Sequence, residues 1–587
     1  MFSINAKICT LKYNDVQEKN IFLVENKKYI IPIYQRPYEW SEEHIQRFIS
    51  DLFTSFWGAN GLALPEPLFF GTMQLSKEKN KKQDVIDGQQ RLSTILLLLF
   101  VLKKLFPDEK ELEKINLSWL STRVHSGKQQ EYLEKIFNKE FKFSKKGKNQ
   151  YQINATLIKE YLEEKIRDRK FERNKFIKHI LGNVYFSVIE TEAKLSKTLQ
   201  IFDSINTGGL KLNGNDVFKI RMYVYLRDIK KQDETTFEKI DKLFRLIDDN
   251  NEKFEQEIYM NDILQIYQHI IIAKYKLPRV LYTYGTDTFF EQLFDTILKT
   301  NVWEHFKNNV KKIDLSLETL KRIIDIRYEW ANPNYETAED GCAEGLINHS
   351  RYGKYSILIF IFLFIFKGQP SYFHDLMLFM RKLCKLYTIY SIRYDKAIRE
   401  IHTFTYELIE KILKGNYDKV IDSIIKKIGT MEDHKYRCDI EEILNGDIVY
   451  NPKRKNIVCR LSAMLHEKYL SKSKKEIEKI NGKIFNDDVS IDIEHIQSYN
   501  DKDENEREEI LNDWGDDINS IGNLMVLESS KNRSIKNISY SEKKKRYGDS
   551  VFQVVQDQII EYEKWDIKKC RKRKAQEVQT ILSYLFS

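Results

Sequence analysis

The segment Val85–Leu102, VIDGQQRLSTILLLLFVL, passes within a few residues from a β-favouring run to a long apolar run. Residues Asp84–Ile86 predict a short strand, and Asp87-Gly88 is a turn signal. The apolar run Ile95–Leu102, with its flanks, is long enough for a buried helix. Backbone N–H groups at the start of a helix carry partial positive charge, so this turn suits an anion such as phosphate.

The composition of the 587 residues predicts a mostly α fold. Hydrophobic residues make up 42% and charged residues 31%, which excludes a disordered chain. Gly occurs 22 times and Pro 9 times, well under their usual shares of about 7% and 5%. So few helix breakers favour long helices over a β-sandwich. The net charge of +9 is small beside 96 basic and 87 acidic residues, so it identifies no partner by itself.

No segment of the sequence predicts a membrane span or export. The longest apolar run, Tyr355–Phe366, has 12 residues, whereas a spanning helix needs about 20. We interpret it as a buried core helix. Met1–Thr10 has no basic start followed by an apolar run. The six cysteines are scattered without a CxxC pair, which indicates neither a zinc knuckle nor a disulfide framework. We expect a cytoplasmic protein.

Patterning along the chain predicts three domains, 1–225, 226–440 and 441–587. The first mixes strands and helices, the second is helical apart from an expected loop at Gly341–Gly353, and the third regains strand signals before a basic tail. The predicted strands are Ile21–Val24, Tyr29–Ile33, Leu68–Leu75, Asp84–Ile86, Val489–Ile493 and Ile521–Leu527.

Three polar segments of the first domain could form one nucleotide site: Tyr34–Trp40, Asp87–Arg91, and Asn206–Gly209 with Asp216 downstream. Arg36 and Arg91 could make bidentate contacts to phosphate, and Asp87 could hold a metal or orient water. There is no GxxxxGK[ST], so this is not a Walker P-loop. Taken singly, each segment is as readily explained as a helix cap or a strand end.

Together the segments resemble the N-terminal domain of the GmrSD-type, modification-dependent (type IV) restriction enzymes, which is related to the ParB/sulfiredoxin fold. The resemblance lies in IPIYQRPYEW (31–40), FFGTMQL (69–75), VIDGQQRLST (85–94) and IFDSINTGGLKLNGNDVFK (201–219). It implies a small α/β domain that binds and hydrolyses a nucleoside triphosphate, GTP or UTP, and senses modified DNA. The implied nucleotide-binding residues are Gln35, Arg36, Asp87, Gly88, Gln89, Gln90, Arg91 and Asn206.

A second polar group lies near the carboxyl end, in Asp492–Ile496, Ser520–Leu527 and Lys531–Ser534. A carboxylate beside a histidine can supply a metal ligand and a base from neighbouring positions. Mg²⁺ prefers oxygen ligands, and a histidine that is neutral at pH 7 can take a proton from water. A lone histidine near a carboxylate is, however, more often a surface or structural pair.

The order EH, GNL, N resembles the HNH endonuclease domain, of the ββα-metal type, at the C-terminus of GmrSD-like proteins. The resemblance implies that His495 is the general base, that Glu494 and Asn532 bind Mg²⁺ or another divalent cation, and that Asn523 is a catalytic-site residue bracing the loop of the base. Asp492 is a second candidate ligand, because strand alternation puts it on the face of Glu494. Relatives commonly have Pro where this chain has Ser498, which puts the geometry of the loop in doubt.

Basic residues flank this segment and could neutralise DNA phosphates, although a run of lysines is usually a solvated helix face. The predicted DNA-binding residues are Lys543, Lys544, Lys545, Arg546, Lys569 and Arg571.

The hypothesis that uses both polar groups is a nucleotide-regulated, metal-dependent DNA endonuclease that acts on modified phage DNA in bacterial defence. One alternative is a nucleotide-controlled DNA-binding module with an inactive HNH domain, and another is an RNase toxin. A purely structural helical scaffold would leave both polar groups unexplained.

Overall fold

The computed structural model describes most of the chain. The described residues are 3–13, 21–23, 26–32, 35–58, 65–76, 81–124, 128–138, 141–147, 149–167, 171–192, 214–232, 235–298, 312–330, 333, 335, 337–429, 436–468, 482–485, 490–499, 504–535 and 538–587. They form two compact units, the first from 1–261 with 285–302 and the second from 262–284 with 303–587. Residues 303–440 and 441–587 thus share a unit, and the expected division into three functional domains stays a prediction.

Helices dominate the described residues, as the low Gly and Pro content predicted. Up to residue 292 they are α1 Glu42–Trp57, α2 Gln89–Leu105, α3 Lys110–Glu113, α4 Lys128–Phe137, α5 Gln150–Arg167, α6 Arg173–Asn183, α7 Gly214–Val224, α8 Thr236–Phe254, α9 Met260–Lys274 and α10 Thr286–Gln292. All of these belong to the first unit except α9, which lies in the second from residue 262 onward. The π-helical turns Tyr225–Ile229 and Leu293–Ile297 extend α7 and α10.

The later helices belong to the second unit. They are α11 Leu317–Glu329, α12 Ala338–His349, α13 Ile357–Phe366, α14 Tyr372–Arg393, α15 Arg399–Leu413, α16 Tyr417–Ile428, α17 Arg437–Asn445, α18 Pro452–Lys468, α19 Glu504–Trp514, α20 Ser529–Ile535, α21 Tyr540–Tyr547, α22 Gln553–Glu561 and α23 Ile567–Leu585. Short 3₁₀ turns lie at Leu117–Trp119, Arg279–Thr283, Gly353–Ser356 and Gly515–Asn519.

A mixed sheet lies in the first unit. Its strands are β1 Ser3–Tyr13, β2 Ile21–Leu23, β3 Lys28–Ile31, β4 Leu68–Ser76, β5 Lys82–Asp87, β6 Leu120–Thr122 and β7 Val184–Glu192, in the spatial order β2-β1-β7-β4-β5-β3-β6. The pairs β1/β7 and β4/β5 are antiparallel and the others are parallel. The small N-terminal mixed sheet is confirmed, whereas its kinship to the ParB/sulfiredoxin fold stays a prediction.

Helix α2 is the core of the first unit. Every residue from Leu92 to Leu102 is buried, so this helix is enclosed on all sides. The sheet contributes alternate residues of its strands to the same hydrophobic core. In β7 these are Val184, Phe186 and Val188. The predicted strand, glycine turn and buried helix of Val85–Leu102 are therefore confirmed.

The second unit buries its helices through apolar stripes. In α16, Val420, Ile421, Ile424 and Ile428 lie on one buried face at helical spacing. Nearly all of α13 is buried, which confirms the core helix expected from the run Tyr355–Phe366. Among the described helices, none combines the length and the apolar character that crossing a membrane requires.

The loop expected at Gly341–Gly353 is wrong, because most of it is the helix α12. Gly345, inside this helix, is not a turn signal: a Cβ there would lie 2.3 Å from Cγ of Phe485. The small residue lets the Phe485 ring approach the helix closely, and a single sequence does not distinguish that use of glycine from a turn.

Candidate functional sites

The first candidate site is the turn between β5 and α2. Strand β5 ends at Asp87, and Gly88 has a φ of 92°, a left-handed conformation that favours glycine. A Cβ at Gly88 would also lie 2.9 Å from Cγ of Met73 on β4. Helix α2 begins at Gln89, and within the described residues no side chain caps its first turn. The local sequence therefore builds an open helix N-terminus beside a carboxylate.

Three of the predicted nucleotide-binding residues join the polar segments of this site to one another through contacts with backbone atoms. Gln35 donates from Nε2 to the carbonyl of Ile86 at 2.7 Å. Gln90 accepts from the N–H of Glu39 at 2.9 Å and donates to the carbonyl of Pro37 at 2.7 Å. Arg91 donates to the carbonyl of Thr72 on β4. The structure thus brings 35–39, 72 and 86–91 together.

The other predicted residues of this site have polar groups left for a ligand. Asp87 is half-buried and Gln89 is buried, and no hydrogen bond joins either side chain to another described residue. Arg36 lies 3.9 Å from Glu39, a long ion pair that leaves most of its donors available. Asn206 lies outside the described residues, so its predicted role stays a prediction. The same holds for the Asp216 side chain.

The second candidate site is built on an antiparallel strand pair, β8 Ile491–His495 and β9 Leu524–Glu528, followed at once by α20. Glu494 pairs with Met525 in register and His495 with Leu524. His495 is therefore the last residue of its strand, where the chain turns into a loop.

The His495 ring is held on one edge by polar partners. Its Nε2 lies 3.1 Å from Oδ1 of Asn519, and the Tyr499 ring meets it edge-on with centroids 5.4 Å apart. Burial lowers the pKa of His495 to about 4, against the opposing effect of its hydrogen bond with Asn519. The imidazole is therefore neutral at pH 7 and able to accept a proton.

Asn523 is buried and fastens the loop that follows His495. Its Oδ1 accepts from the N–H of Gln497 at 2.8 Å, and its Nδ2 donates to the carbonyls of Gln497 at 3.0 Å and Ile518 at 2.8 Å. The indole of Trp565 adds a bond to Oδ1 at 3.1 Å. This geometry agrees with a bracing role for Asn523, and its part in catalysis stays a prediction.

Glu494 and Lys543 form a buried ion pair. Oε1 of Glu494 accepts from Nζ of Lys543 at 2.6 Å and from the hydroxyl of Tyr547 at 2.9 Å. Burial raises the pKa of the Glu494 carboxyl, and the ammonium opposes that shift. Lys543 also donates to the carbonyl of His495 at 2.7 Å and to Oγ of Ser498 at 2.6 Å. All three N–H groups of the ammonium are thus used within the protein.

These contacts correct one predicted DNA contact and weaken one predicted metal ligand. Lys543 has a relative exposure of 0%, so it cannot reach a phosphate. The charge of the Glu494 carboxylate is already balanced by the Lys543 ammonium, which disfavours a metal ion at this carboxylate. Sequence spacing could not show this, because the partner Lys543 lies on α21, 49 residues further along the chain.

Asn532 lies beside Asp492, not Glu494. Its Nδ2 is 3.4 Å from Oδ2 of Asp492, and both residues are half-exposed. No hydrogen bond of the described residues links the side chains of Glu494, His495 and Asn532 to one another. Likewise, the described residues contain no group of three or more His, Cys, Asp or Glu side chains arranged for a metal ion. In the pair of Asp492 and Asn532 the amide nitrogen, not the amide oxygen, faces the carboxylate, and both stay predicted metal ligands.

The remaining predicted DNA contacts lie at the surface with varied partners. Lys545 and Arg546 are exposed on α21. Lys544 pairs with Glu563 at 2.6 Å, Lys569 with Asp566 at 3.5 Å and Arg571 with Asp517 at 2.7 Å. The pairs of Lys544 and Lys569 join exposed carboxylates and are weak, whereas Arg571 binds the buried carboxylate of Asp517. All five side chains stay predicted contacts.

Two residues of the site that sequence reasoning missed are Asn519 and Asp447. Asn519 ends the 3₁₀ turn Gly515–Asn519, and Asp447 lies between α17 and α18. Nδ2 of Asn519 donates to Oδ2 of Asp447 at 2.9 Å. Neither lies in a stretch with a recognisable pattern, so no sequence signal pointed to them.

Two family models match the chain and contain both candidate sites. Residues 19–223 match the N-terminal domain of the GmrSD restriction endonuclease, and residues 437–576 match the C-terminal domain of GmrSD restriction endonucleases. No curated protein is significantly similar to the chain. The two matches cover more than half of the 587 residues and define a DNA endonuclease of restriction defence. The chain belongs to the GmrSD restriction endonuclease family.

Proposed function

We propose that the protein is a nucleotide-regulated, metal-dependent DNA endonuclease of the HNH type, directed at modified phage DNA. The observation that carries this proposal is the position of His495 at the end of β8, before a loop fastened by Asn523 and beside β9, which leads into α20. Strand, strand and helix in this order are the parts of a ββα nuclease. Asn532 lies on the helix, where the family resemblance implies a ligand.

In this mechanism His495 removes a proton from the water that attacks the scissile phosphodiester. Asp492 and Asn532 would hold a divalent cation, which supplies charge stabilisation to the phosphate and the departing oxygen. The exposed Lys545 and Arg546, on a helix of the same unit, would bind backbone phosphates without sequence preference.

The contacts of Ser498 argue against an inactive HNH domain. That alternative rested on the absence of the proline that relatives commonly have at this position. Here Oγ of Ser498 accepts from the buried ammonium of Lys543 at 2.6 Å, and Ser498 donates to the carbonyl of His495 at 3.4 Å. The loop is therefore tied by hydrogen bonds where a proline would stiffen it, so its order does not depend on that residue.

For the N-terminal site we propose a nucleoside triphosphate, GTP or UTP, whose phosphates face the start of α2. Asp87, Gln89 and Arg36 would contact the nucleotide, because they have polar groups not used within the described structure. Gln35, Gln90 and Arg91 would hold the site together through their backbone contacts. We therefore divide the motif in two: side chains with unused polar groups contact the nucleotide, and side chains bonded to the backbone support the site.

The endonuclease proposal is tested by incubating the protein with modified and unmodified DNA and Mg²⁺, with and without each nucleoside triphosphate. We expect metal-dependent nicking or cutting that falls roughly 10²–10⁴-fold in His495→Ala, because removal of a general base costs about that much. RNA of matched sequence serves as the competing substrate. Undiminished DNA cleavage by a folded His495→Ala protein, or cleavage of RNA alone, would overturn the assignment.

The nucleotide proposal is tested with Asp87→Asn, a nearly isosteric change at a residue without a hydrogen bond to the described structure. We expect nucleoside triphosphate hydrolysis to fall at least tenfold while the unfolding midpoint stays unchanged. The matched control is Asp51→Asn on the exposed face of α1, which should alter neither property. Equal hydrolysis by both variants would place the nucleotide elsewhere.

A further inference from the structure

A chain of hydrogen bonds leads from a carboxylate outside the strand pair to the imidazole of His495. Oδ2 of Asp447 accepts from Nδ2 of Asn519 at 2.9 Å, and Oδ1 of Asn519 lies 3.1 Å from Nε2 of His495. The hydroxyl of Tyr499 donates to the same Oδ1 at 3.2 Å. These residues all belong to the second unit, and Asp447 precedes His495 by 48 positions in the sequence.

The chemistry of the groups fixes the direction of each bond. An ionised carboxylate only accepts, so the NH₂ of the Asn519 amide must face Asp447. The amide oxygen then faces His495, and an oxygen can only accept, so Nε2 of the imidazole must carry the proton. In a neutral imidazole the other nitrogen, Nδ1, then has the lone pair.

Asp447 is itself held in place, which is what a directing group needs. Its Oδ1 accepts from the N–H of Val449 at 2.7 Å and from the N–H of Tyr450 at 3.2 Å. The N–H of Ile448 donates to the carbonyl of Asn519 at 3.1 Å, so the two segments are also joined through the backbone. The carboxylate cannot swing away and let the amide turn over.

We propose that Asp447 and Asn519 are positioning residues that hold His495 as the tautomer with its proton on Nε2, so that Nδ1 is the atom that accepts the proton from water. The identification of water as the proton donor rests on the proposed function. The tautomer of His495 does not, because it is a property of the protein without substrate. The relay lies outside the strand pair and the helix α20, and it orients the base from the side opposite its reactive nitrogen.

The first test measures the tautomer directly, in the full-length protein labelled with ¹⁵N-histidine. The His495 signals are assigned by their loss in His495→Gln. We expect Nε2 to give the shift of a protonated nitrogen and Nδ1 that of an unprotonated one. Asn519→Leu should produce a mixture of tautomers, whereas Asn519→Asp combined with Asp447→Asn should retain the single form, because an acceptor still faces Nε2.

The second test measures cleavage kinetics of the same variants. We expect kcat to fall roughly 10–100-fold in Asn519→Leu with KM unchanged, as for other residues that orient a site from behind. The double variant should recover most of this loss. The matched control is Asn348→Leu, at an exposed position on α12, with kcat within twofold of the wild type.

The outcomes separate the relay from the nuclease assignment. A proton on Nδ1 in the wild type, or an unchanged tautomer and kcat in Asn519→Leu, would overturn the relay. A wild-type protein that cuts no DNA, yet loses its single tautomer in Asn519→Leu, would support the relay and overturn the endonuclease. If Asn519→Leu does not fold, the nearly isosteric Asp447→Asn provides both measurements, with the same mixture of tautomers expected.

Discussion

The two candidate sites are held together by different kinds of bond. Around the start of α2, neutral amides bind backbone atoms: Gln90 contacts Glu39 and Pro37, and Gln35 contacts Ile86. Around the end of β8, the neutral amide of Asn523 also binds backbone atoms, but buried charges add to it, above all the pair of Glu494 and Lys543. Both sets of contacts fix a loop beside an apolar core. The comparison teaches that removing one partner should lower the unfolding free energy by very different amounts at the two sites.

The largest effect is expected for Lys543→Met. It leaves the Glu494 carboxylate buried without its cation and removes the bonds to His495 and Ser498, so we expect a loss of about 3–5 kcal/mol in unfolding free energy. Urea unfolding followed by circular dichroism measures it. Lys545→Met, at the exposed neighbour on the same helix, is the control and should change stability by less than about 0.5 kcal/mol. Equally small losses of unfolding free energy in the two variants would show that the buried ion pair does not stabilise this loop.

A half-buried histidine makes the stability of the C-terminal region depend on pH. Burial lowers the pKa of His466, but hydrogen bonds with Asp557 at 2.5 Å and Glu577 at 2.9 Å outweigh it and raise the pKa to about 9. The ordinary value is about 6.5, so the stabilisation is fully present below pH 6.5 and is lost as pH rises through 9.

We expect this loss to be about 2–3 kcal/mol, measured as unfolding free energy between pH 6 and pH 10. His466→Gln keeps a polar side chain without the titration and should flatten the profile over that range. A wild-type profile as flat as that of the variant would contradict the charged state of His466.

The smallest effect is expected at the N-terminal site, for Gln90→Ala. It leaves the N–H of Glu39 and the carbonyl of Pro37 without their partner, both near the surface, so we expect a loss of about 1–2 kcal/mol. The loss should be well below that of Lys543→Met, and urea unfolding measures both. A loss as large as that of Lys543→Met would remove the contrast between the two sites.

Much of the local structure could be predicted from the sequence. The strands at 21–23, 28–31, 68–76 and 82–87 and the buried helix after Gly88 follow from β-favouring runs, a turn signal and an apolar run. The strands β1 and β7 were not predicted, although they pair over eight residues. In β7 the buried Val184, Phe186 and Val188 alternate with less buried residues, so a local strand signal was present and was missed. In β1 the apolar Ile4 and Ile8 are exposed, and the pairing with β7 defines the strand.

The candidate sites show the same limit. The motifs around Asp87 and His495 could be found from the sequence, because neighbouring residues form them. The sequence could not show which motif residues have a polar group available for a ligand. Gln90 and Glu494 form hydrogen bonds with partners 51 and 49 residues away. The shift from Glu494 to Asp492 as the partner of Asn532 is a result of the same kind.

The sequence by itself determined a largely helical chain, a strand, a glycine turn and a helix at Val85–Leu102, and a histidine beside carboxylates near the carboxyl end. These depend on backbone preferences and on the periodicity of apolar residues, which act over a few positions. Only the tertiary structure decided that Lys543 is buried and that Asp447 and Asn519 direct the imidazole of His495. Burial and hydrogen-bond direction arise when distant segments pack together, and no local pattern encodes them.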